Sequence, residues 1–256
     1  MVKKIFSILA WVVTGAALVV LFIAAREDYL NTPLKSINVS IDRVNDNGFV
    51  KESAVLADLG NICNAARIGT VNMQAIQSQL KSNPWVEHSE AFVDLGGDLN
   101  VSIKEYHPVL RVFGKNGNSV YLTEDLLVLP SSPSHTPYLL IASGNFLLDS
   151  VDIGRQLNDT LEADRNLIGA MAVMEAVSRN PFIKSCTGQI YCNGRNEFEI
   201  VVRDLDARIL LGNTDQLDDK LRRLEIFMKQ KIGTSESKNL NIINLKYKNQ
   251  VVCTKR

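Results

Sequence analysis

The stretch Asn83 to Val109, NPWVEHSEAFVDLGGDLNVSIKEYHPV, decides the fold. From Leu99 to Lys104 apolar and polar residues alternate without exception, the period-two pattern of a half-buried strand. Trp85 to Leu95 is apolar and weakly alternating, and Gly96-Gly97-Asp98 supplies the turn, so the two runs form a β-hairpin. Upstream, Asn83-Pro84 stops a helix, because proline has no N–H to give and its ring clashes with the preceding turn. That helix runs from Asn72, an N-cap residue type, to Ser82, with Met73, Ile76 and Leu80 on one face. A second helix covers Val50 to Leu59, with apolar residues at 50, 54, 55 and 59, and Ser36 to Asp42 alternates as a strand. The order β-α-α-β-β predicts a three-stranded sheet with two helices on one face and the other face wet.

Beyond Pro108 a second unit follows. Val109 to Phe113, Val120 to Leu129 and Tyr138 to Ile141 read as short strands, separated by Gly114-Lys115-Asn116-Gly117-Asn118 and by the turn SSPSHTP at 131–137. Leu161 to Arg179 reads as a helix with Leu167, Ile168, Met171, Met174 and Val177 inward, stopped by Asn180-Pro181. Gln189 to Cys192 and Phe198 to Arg203 flank Asn193-Gly194, a hairpin turn. Ala207 to Leu211 is another strand, and Leu217 to Lys229 a helix with Leu217, Leu221, Leu224 and Met228 inward and Asp218, Asp219, Arg222, Arg223 and Glu225 outward. One strand, Ile242 to Cys253, closes the sequence. The fold class is α+β, with two units in sequence.

Upstream lies Ile5 to Ala25, IFSILAWVVTGAALVVLFIAA, without a charge, amide or proline. At helical rise it is roughly 31 Å long against a hydrocarbon core of about 30 Å, so it is long enough to span a membrane. Lys3 and Lys4 precede it, which places residues 1–4 on the cytoplasmic side and the bulk outside the cytoplasm. A cleaved secretory signal starts similarly, but its apolar run is shorter, about 7–15 residues. Residues 26–35, with Pro33, read as a polar hinge. Overall the 256 residues carry 28 basic and 28 acidic side chains, 46% hydrophobic residues and 22% charged. A nucleic-acid binder needs a basic stripe to neutralise phosphates, and none is present. Divided at Ala25, the outer part carries 26 basic and 28 acidic residues, nearly neutral.

The chemistry of known active sites is missing from the sequence. It contains no GxSxG, GxGxxG, Walker or HExxH motif and no EF-hand loop. His88, His107 and His135 have no ligand spacing, and adjacent acids such as Asp218-Asp219 and Glu124-Asp125 diverge instead of meeting on one atom. The expectation is a non-enzyme with no catalytic residue, cofactor, metal or small-molecule substrate. Cys63, Cys186, Cys192 and Cys253 are too scattered for a disulfide framework. A Cys186–Cys192 bridge and four free thiols are both open readings.

The last strand carries the clearest binding signal. Ile243, Leu245, Tyr247, Val251 and Cys253 alternate with Asn244, Lys246, Lys248 and Gln250. A terminal strand often lies at a sheet edge, where free N–H and C=O groups pair with an incoming peptide. The competing reading is an edge defended by Lys246, Lys248 and Lys255 against aggregation.

Taken in order, these residues resemble the FtsQ/DivIB family of bacterial cell-division proteins. The β-α-α-β-β module with Asn83-Pro84-Trp85-Val86 and the strand into Pro108-Val109 is similar to the family's POTRA domain. Val120-Tyr121-Leu122-Thr123-Glu124-Asp125, Pro137-Tyr138-Leu139 with Ser143-Gly144, Ile209-Leu210-Leu211-Gly212 leading into Asp219-Lys220-Leu221, and Ile243-Asn244-Leu245-Lys246-Tyr247 resemble steps of its β domain. Lys246 stands where the family has arginine and Asn244 where it has aspartate. The resemblance implies an anchor at 5–25 bounded by Ile5 and Ala25, a POTRA-like domain at 36–107 and a β domain at 108–256. It implies a single-pass septal scaffold of the inner membrane that recruits FtsB-like and FtsL-like partners by strand addition at its C-terminal edge. Lys246 and Tyr247 are the leading contact residues, joined by Lys248, Gln250 and Val252, with Ile243, Leu245 and Val251 inward; on the POTRA-like domain the exposed second strand, 88–94, is a further surface. Two other classes compete: an anchored extracytoplasmic hydrolase with a scattered carboxylate site, and a POTRA-bearing secretion or outer-membrane assembly factor, which lacks here the run of strands a barrel needs.

Overall fold

The structure is a computed structural model that describes residues 2–43, 48–64, 66–151, 153–203, 205–231 and 240–255; the side chains of residues 2–8, 10, 150 and 163 lie outside the description. The chain divides into two compact units, Met1–Glu105 and Tyr106–Arg256.

The first unit contains α1 (Val2–Asn31), β1 (Ile37–Asp42), α2 (Glu52–Ile62), α3 (Met73–Ser82), β2 (Val86–Val93) and β3 (Leu99–Glu105). Its sheet has the order β1-β3-β2, with β1 parallel and β2 antiparallel to the central strand. Leu99, Val101 and Ile103 are buried, as the alternation requires, and α2 and α3 bury Val55, Leu59, Ile76 and Leu80. Asn72 caps α3, its side chain accepting from the Ala75 N–H at 3.0 Å. Trp85 stands just before β2, buried, with its ring stacked on Phe49. Glu105 at the end of β3 is buried as well, and its carboxylate accepts from the N–H groups of Phe49 and Val50.

One expectation changes at the N-terminus. In place of a hinge over 26–35, helix α1 continues to Asn31, and the chain passes directly into contacts with its own unit. Tyr29 Oη donates to Asp94 O at 3.1 Å, Ile68 N–H to Thr32 O at 3.0 Å and Lys35 N–H to Gly97 O at 2.9 Å. Among the described residues no helix is long and apolar enough to cross a membrane. The expected span, Ile5 to Ala25, falls in part on residues whose side chains lie outside the described set, Ile5 among them. Ahead of Arg26 the described part of α1 is exposed and almost wholly apolar, with Trp11, Val12, Val13 and every residue from Leu18 to Ile23 facing outward.

The second unit contains β4 (Pro108–Phe113), β5 (Ser119–Thr123), β6 (Val128–Pro130), β7 (Leu140–Gly144), α4 (Glu162–Arg179), α5 (Pro181–Cys186), β8 (Thr187–Cys192), β9 (Phe198–Val202), β10 (Arg208–Gly212), α6 (Leu217–Lys231), β11 (Leu240–Asn244) and β12 (Val252–Lys255). They form one mainly antiparallel nine-stranded sheet in the order β12-β11-β10-β9-β8-β7-β4-β5-β6. Ala142, Ile190, Ile200, Ile209 and Ile243 point into a core closed by Leu167, Met171, Val177, Leu221, Leu224 and Met228 of α4 and α6. The neighbouring residues Ile141, Tyr191 and Val201 are exposed on the opposite face.

Three boundaries depart from the sequence reading. The single strand expected over Val120–Leu129 is two strands, because Leu126, at φ 61°, turns the chain back with its N–H on Thr123 O. The strand expected at Tyr138–Ile141 is displaced to Leu140–Gly144, where its parallel ladder with β4 begins. Asn180-Pro181, read as a stop, also starts α5: Asn180 Oδ1 accepts from the Ile183 N–H at 3.0 Å, and proline is at the first position, where its missing N–H costs nothing.

The sheet has two ends, and the β6 end is covered. Gly154 N–H donates to Val128 O at 2.8 Å, Val128 N–H to Arg155 O at 3.0 Å and Leu157 N–H to Leu126 O at 2.9 Å, so residues 154–157 occupy the side of β6 that a further strand would use. That segment is held by Arg155, whose guanidinium makes a fork with the fully buried Asp164 carboxylate at 2.7 and 2.8 Å. The same carboxylate accepts from the Asn158 N–H at 2.7 Å. All four cysteines are free.

Candidate functional site: the open edge of the nine-stranded sheet

The other end is β12, reached through β10, α6 and β11. Helix α6 buries Leu217, Leu221, Leu224 and Met228, as the 3.6-residue period requires. Lys220 is buried too, its ammonium donating to Asn213 O at 2.9 Å and Asn213 Oδ1 at 3.0 Å, and burial pulls its pKa below the ordinary lysine value. This lysine ties the start of α6 to the loop after β10. Strand β11 then pairs parallel to β10, and Leu245 N–H donates to Leu210 O at 2.9 Å.

The expected continuous strand Ile242–Cys253 is broken in the middle. Asn249 adopts φ 58°, the left-handed conformation asparagine tolerates, and residues 245–251 reverse the chain so that β12 returns antiparallel to β11. The register pairs Asn244 with Val252 and Ile243 with Cys253. Lys246, Tyr247, Lys248 and Gln250, expected on an edge strand, are therefore in the β11–β12 loop; of the five partner-binding candidates only Val252 is on β12. The inward group behaves differently: Ile243 and Leu245 are buried and Val251 packs partly against the core.

Arg223 of α6 shapes this loop. Expected on the solvent face, it turns inward, and its guanidinium donates to Leu245 O at 3.4 Å, Tyr247 O at 2.9 Å and Gln250 O at 2.5 Å. Its Nε sits 3.0 Å from Asp219 Oδ2, and Arg222 and Arg223 together hold the Asp219 pKa below the usual carboxylate range. Three carbonyls thus share one cation. The result is a fixed loop with Tyr247 on its outside, 52% exposed. Lys246 lies over Gly212, and its ammonium is 2.5 Å from Glu197 Oε1, which lowers the Glu197 pKa. It is tied to its own domain, whereas Lys248 and Lys255 are free of any ion pair among the described residues. All four residues of β12 are exposed, and no described strand lies beyond it.

Two glycines in the quoted β-domain motifs have steric reasons. At Gly144, φ is 115°, and a Cβ would stand 2.1 Å from the Cys192 carbonyl across the β7–β8 ladder. At Gly212, φ is 75° and the Lys246 stem fills the space a side chain would take. Gly212 and Lys220 together fix the chain where it leaves β10. A family model described as FtsQ/DivIB, C-terminal related, matches residues 107–254. The chain belongs to this family.

It is thereby a relative of the bacterial cell-division proteins FtsQ and DivIB, and the matched region comprises nearly all of the second unit, including its open edge. A search of curated proteins finds no match. In this FtsQ/DivIB relative the described acidic residues with moved pKa values, Asp94, Asp164, Glu197, Asp219 and Glu225, are moved down by N–H or cationic partners, opposite to what a general acid needs. Among the described residues no group of three or more His, Cys, Asp or Glu is arranged to hold a metal ion. In the first unit the expected surface at 88–94 corresponds to most of β2, an edge strand with His88, Glu90 and Phe92 outward. A groove of about 530 Å³ runs beside it, lined by Gln77 and Lys81 of α3 and by residues 86–92.

Proposed function

We propose that this chain is a non-enzymatic scaffold of the bacterial division machinery, anchored in the inner membrane by α1 with residues 1–4 in the cytoplasm, that captures FtsB-like and FtsL-like partners by strand addition to β12. The observation that carries the reading is the contrast between the sheet's two ends. One is occupied by the chain's own residues 154–157; the other presents a strand with every residue exposed, beside a loop fixed by Arg223. Main-chain pairing would supply affinity, and Tyr247, Lys248, Gln250 and Val252 would select the partner from the adjoining loop and strand. Lys246, bound to Glu197, acts mainly by holding the loop. The outward apolar ring of α1 supports the anchor, since such a surface is stable only in lipid or against protein. The β-α-α-β-β unit is read as POTRA-like, with the β2 edge as a second contact surface for septal proteins.

Proline scanning of β12 tests this. In an antiparallel ladder successive residues alternately point their N–H groups toward and away from the neighbour. Cys253→Pro and Thr254→Pro therefore have different effects: one removes a bond to β11, the other an outward N–H. The variant that leaves the ladder intact is expected to fold, insert and fail to pull down a co-expressed FtsB-like protein. Retained capture in both variants would sink the strand-addition reading, and capture lost by Tyr247→Asp alone would transfer the site to the loop.

A further inference from the structure

We infer that the β2–β3 turn of the first unit, with Leu95 at its tip, rests in the headgroup region of the bilayer that α1 crosses, so that its partner is a lipid surface. The inference depends on reading α1 as the membrane span. Leu95 is 92% exposed, although it is an aliphatic side chain on a tight turn. The turn is not loose. The Asp94 carboxylate accepts from the N–H groups of Gly96 at 2.8 Å and Asp98 at 3.0 Å and from Asn100 Nδ2 at 3.1 Å, and Asp94 N–H donates to Asp98 O at 3.0 Å. Such a turn holds Leu95 outward instead of letting it fold back onto the unit. A single exposed leucine is ordinary on a protein surface. Its position relative to α1 is what gives it meaning.

Tyr29 Oη donates to the carbonyl of Asp94, the residue before Leu95, and Lys35 N–H donates to Gly97 O in the same turn. Tyr29 is four residues beyond Ala25, where the apolar run ends, or about 6 Å at helical rise. Each headgroup layer is about 5–7 Å thick, so Tyr29 and the turn bonded to it are at headgroup level. Tyrosine favours that depth, with its ring near the acyl chains and its hydroxyl among polar groups. Arg26, Lys35 and Arg67 are exposed at the same end of the unit, where they suit anionic headgroups. The α1 terminus is itself seated in the unit: Gly69 approaches Leu30 so closely that a Cβ would stand 3.0 Å from it, and Arg67 Nη1 lies 3.4 Å from Asn31 Oδ1. A continuous, docked helix fixes the height of the turn above the lipid.

The test uses the full-length chain in phosphatidylethanolamine–phosphatidylglycerol vesicles whose acyl chains carry bromine at shallow or deep positions, with tryptophan fluorescence as the readout. Trp85, buried on Phe49, is an internal reference. In the wild type, Trp11 reports α1; in the double variant Trp11→Phe, Leu95→Trp, the residue at 95 reports the turn. The expected result is loss of Trp11 fluorescence to deep bromines and loss of the position-95 signal to shallow ones, with a blue shift of the latter on reconstitution. Quenched Trp11 with an unquenched, water-like signal at 95 would overturn the surface and leave the span standing. Unquenched Trp11 would overturn both.

Discussion

The two ends of the nine-stranded sheet are treated in opposite ways. At β6 the unpaired backbone is covered by the chain itself, and a forked ion pair between Arg155 and a fully buried Asp164 keeps the cover in place. At β12 four exposed residues and a loop gathered by one arginine are left facing outward. Unpaired strand edges template association, so proteins close or blunt those they do not use. Among the described residues, then, one end of the sheet is closed by a segment held with a buried charge, and the other is not covered by any strand.

The contrast can be broken most severely at Asp164. Asp164→Ala removes the fully buried carboxylate that Arg155 and the Asn158 N–H share, and removing one partner of a buried pair typically costs about 3–5 kcal/mol. Chemical denaturation should show that loss, and hydrogen exchange should show faster amides in 126–130 and 154–158 before other strands respond. A loss below about 1 kcal/mol would place the pair among ordinary surface bridges and dissolve the distinction between the ends. The same carboxylate gives a pH signature. Hydrogen bonds from Arg155, and then the Asn158 N–H, hold the folded Asp164 pKa below its unfolded value, against the opposing effect of burial. Its contribution is therefore present above the unfolded value, about 3.9, and is lost as pH falls through the depressed folded value. Asp164→Asn should flatten that acid limb.

A smaller change is expected at the open end. Arg223→Ala removes the shared donor of three carbonyls, at a cost of roughly 1–3 kcal/mol. Exchange should rise over 245–251 while β8 and β9 stay protected, and capture of a co-expressed FtsB-like partner should weaken. Unchanged exchange in the loop would mean that Arg223 does not shape the edge. The smallest effect is expected at Lys246. Its bridge to Glu197 is partly exposed, so Lys246→Ala should cost no more than about 1 kcal/mol, and less at high salt.

The sequence made the hairpins and the core faces legible because they are local. Leu99–Lys104 alternates strictly, Asn193-Gly194 marks its turn, and the inward faces of α4 and α6 follow from spacing. The break at Asn249 was hidden because the alternation continues across it, and a lone asparagine does not say that it will take a left-handed conformation. Leu126 hid its turn more thoroughly, since leucine rarely adopts positive φ. Arg223 read as a solvent residue on a helix next to Arg222; its carbonyl partners are 22 to 27 residues away, and no local pattern reports them. The cover over β6 was equally out of reach, because Arg155 and Asp164 gain their meaning from the strand they protect. Residues 246–250, expected on an edge strand, lie in the loop between β11 and β12, because the reversal at Asn249 leaves no trace in the alternation.

Helix α1 runs without a linker into the unit that grips it at Tyr29, Leu30 and Asn31. A flexible tether would absorb rotation or tilt of the helix; a docked one transmits it. The helix and the three-stranded unit thus act as handle and blade. Rotation of α1 would reorient the β2 edge without any change in the unit's own bonds.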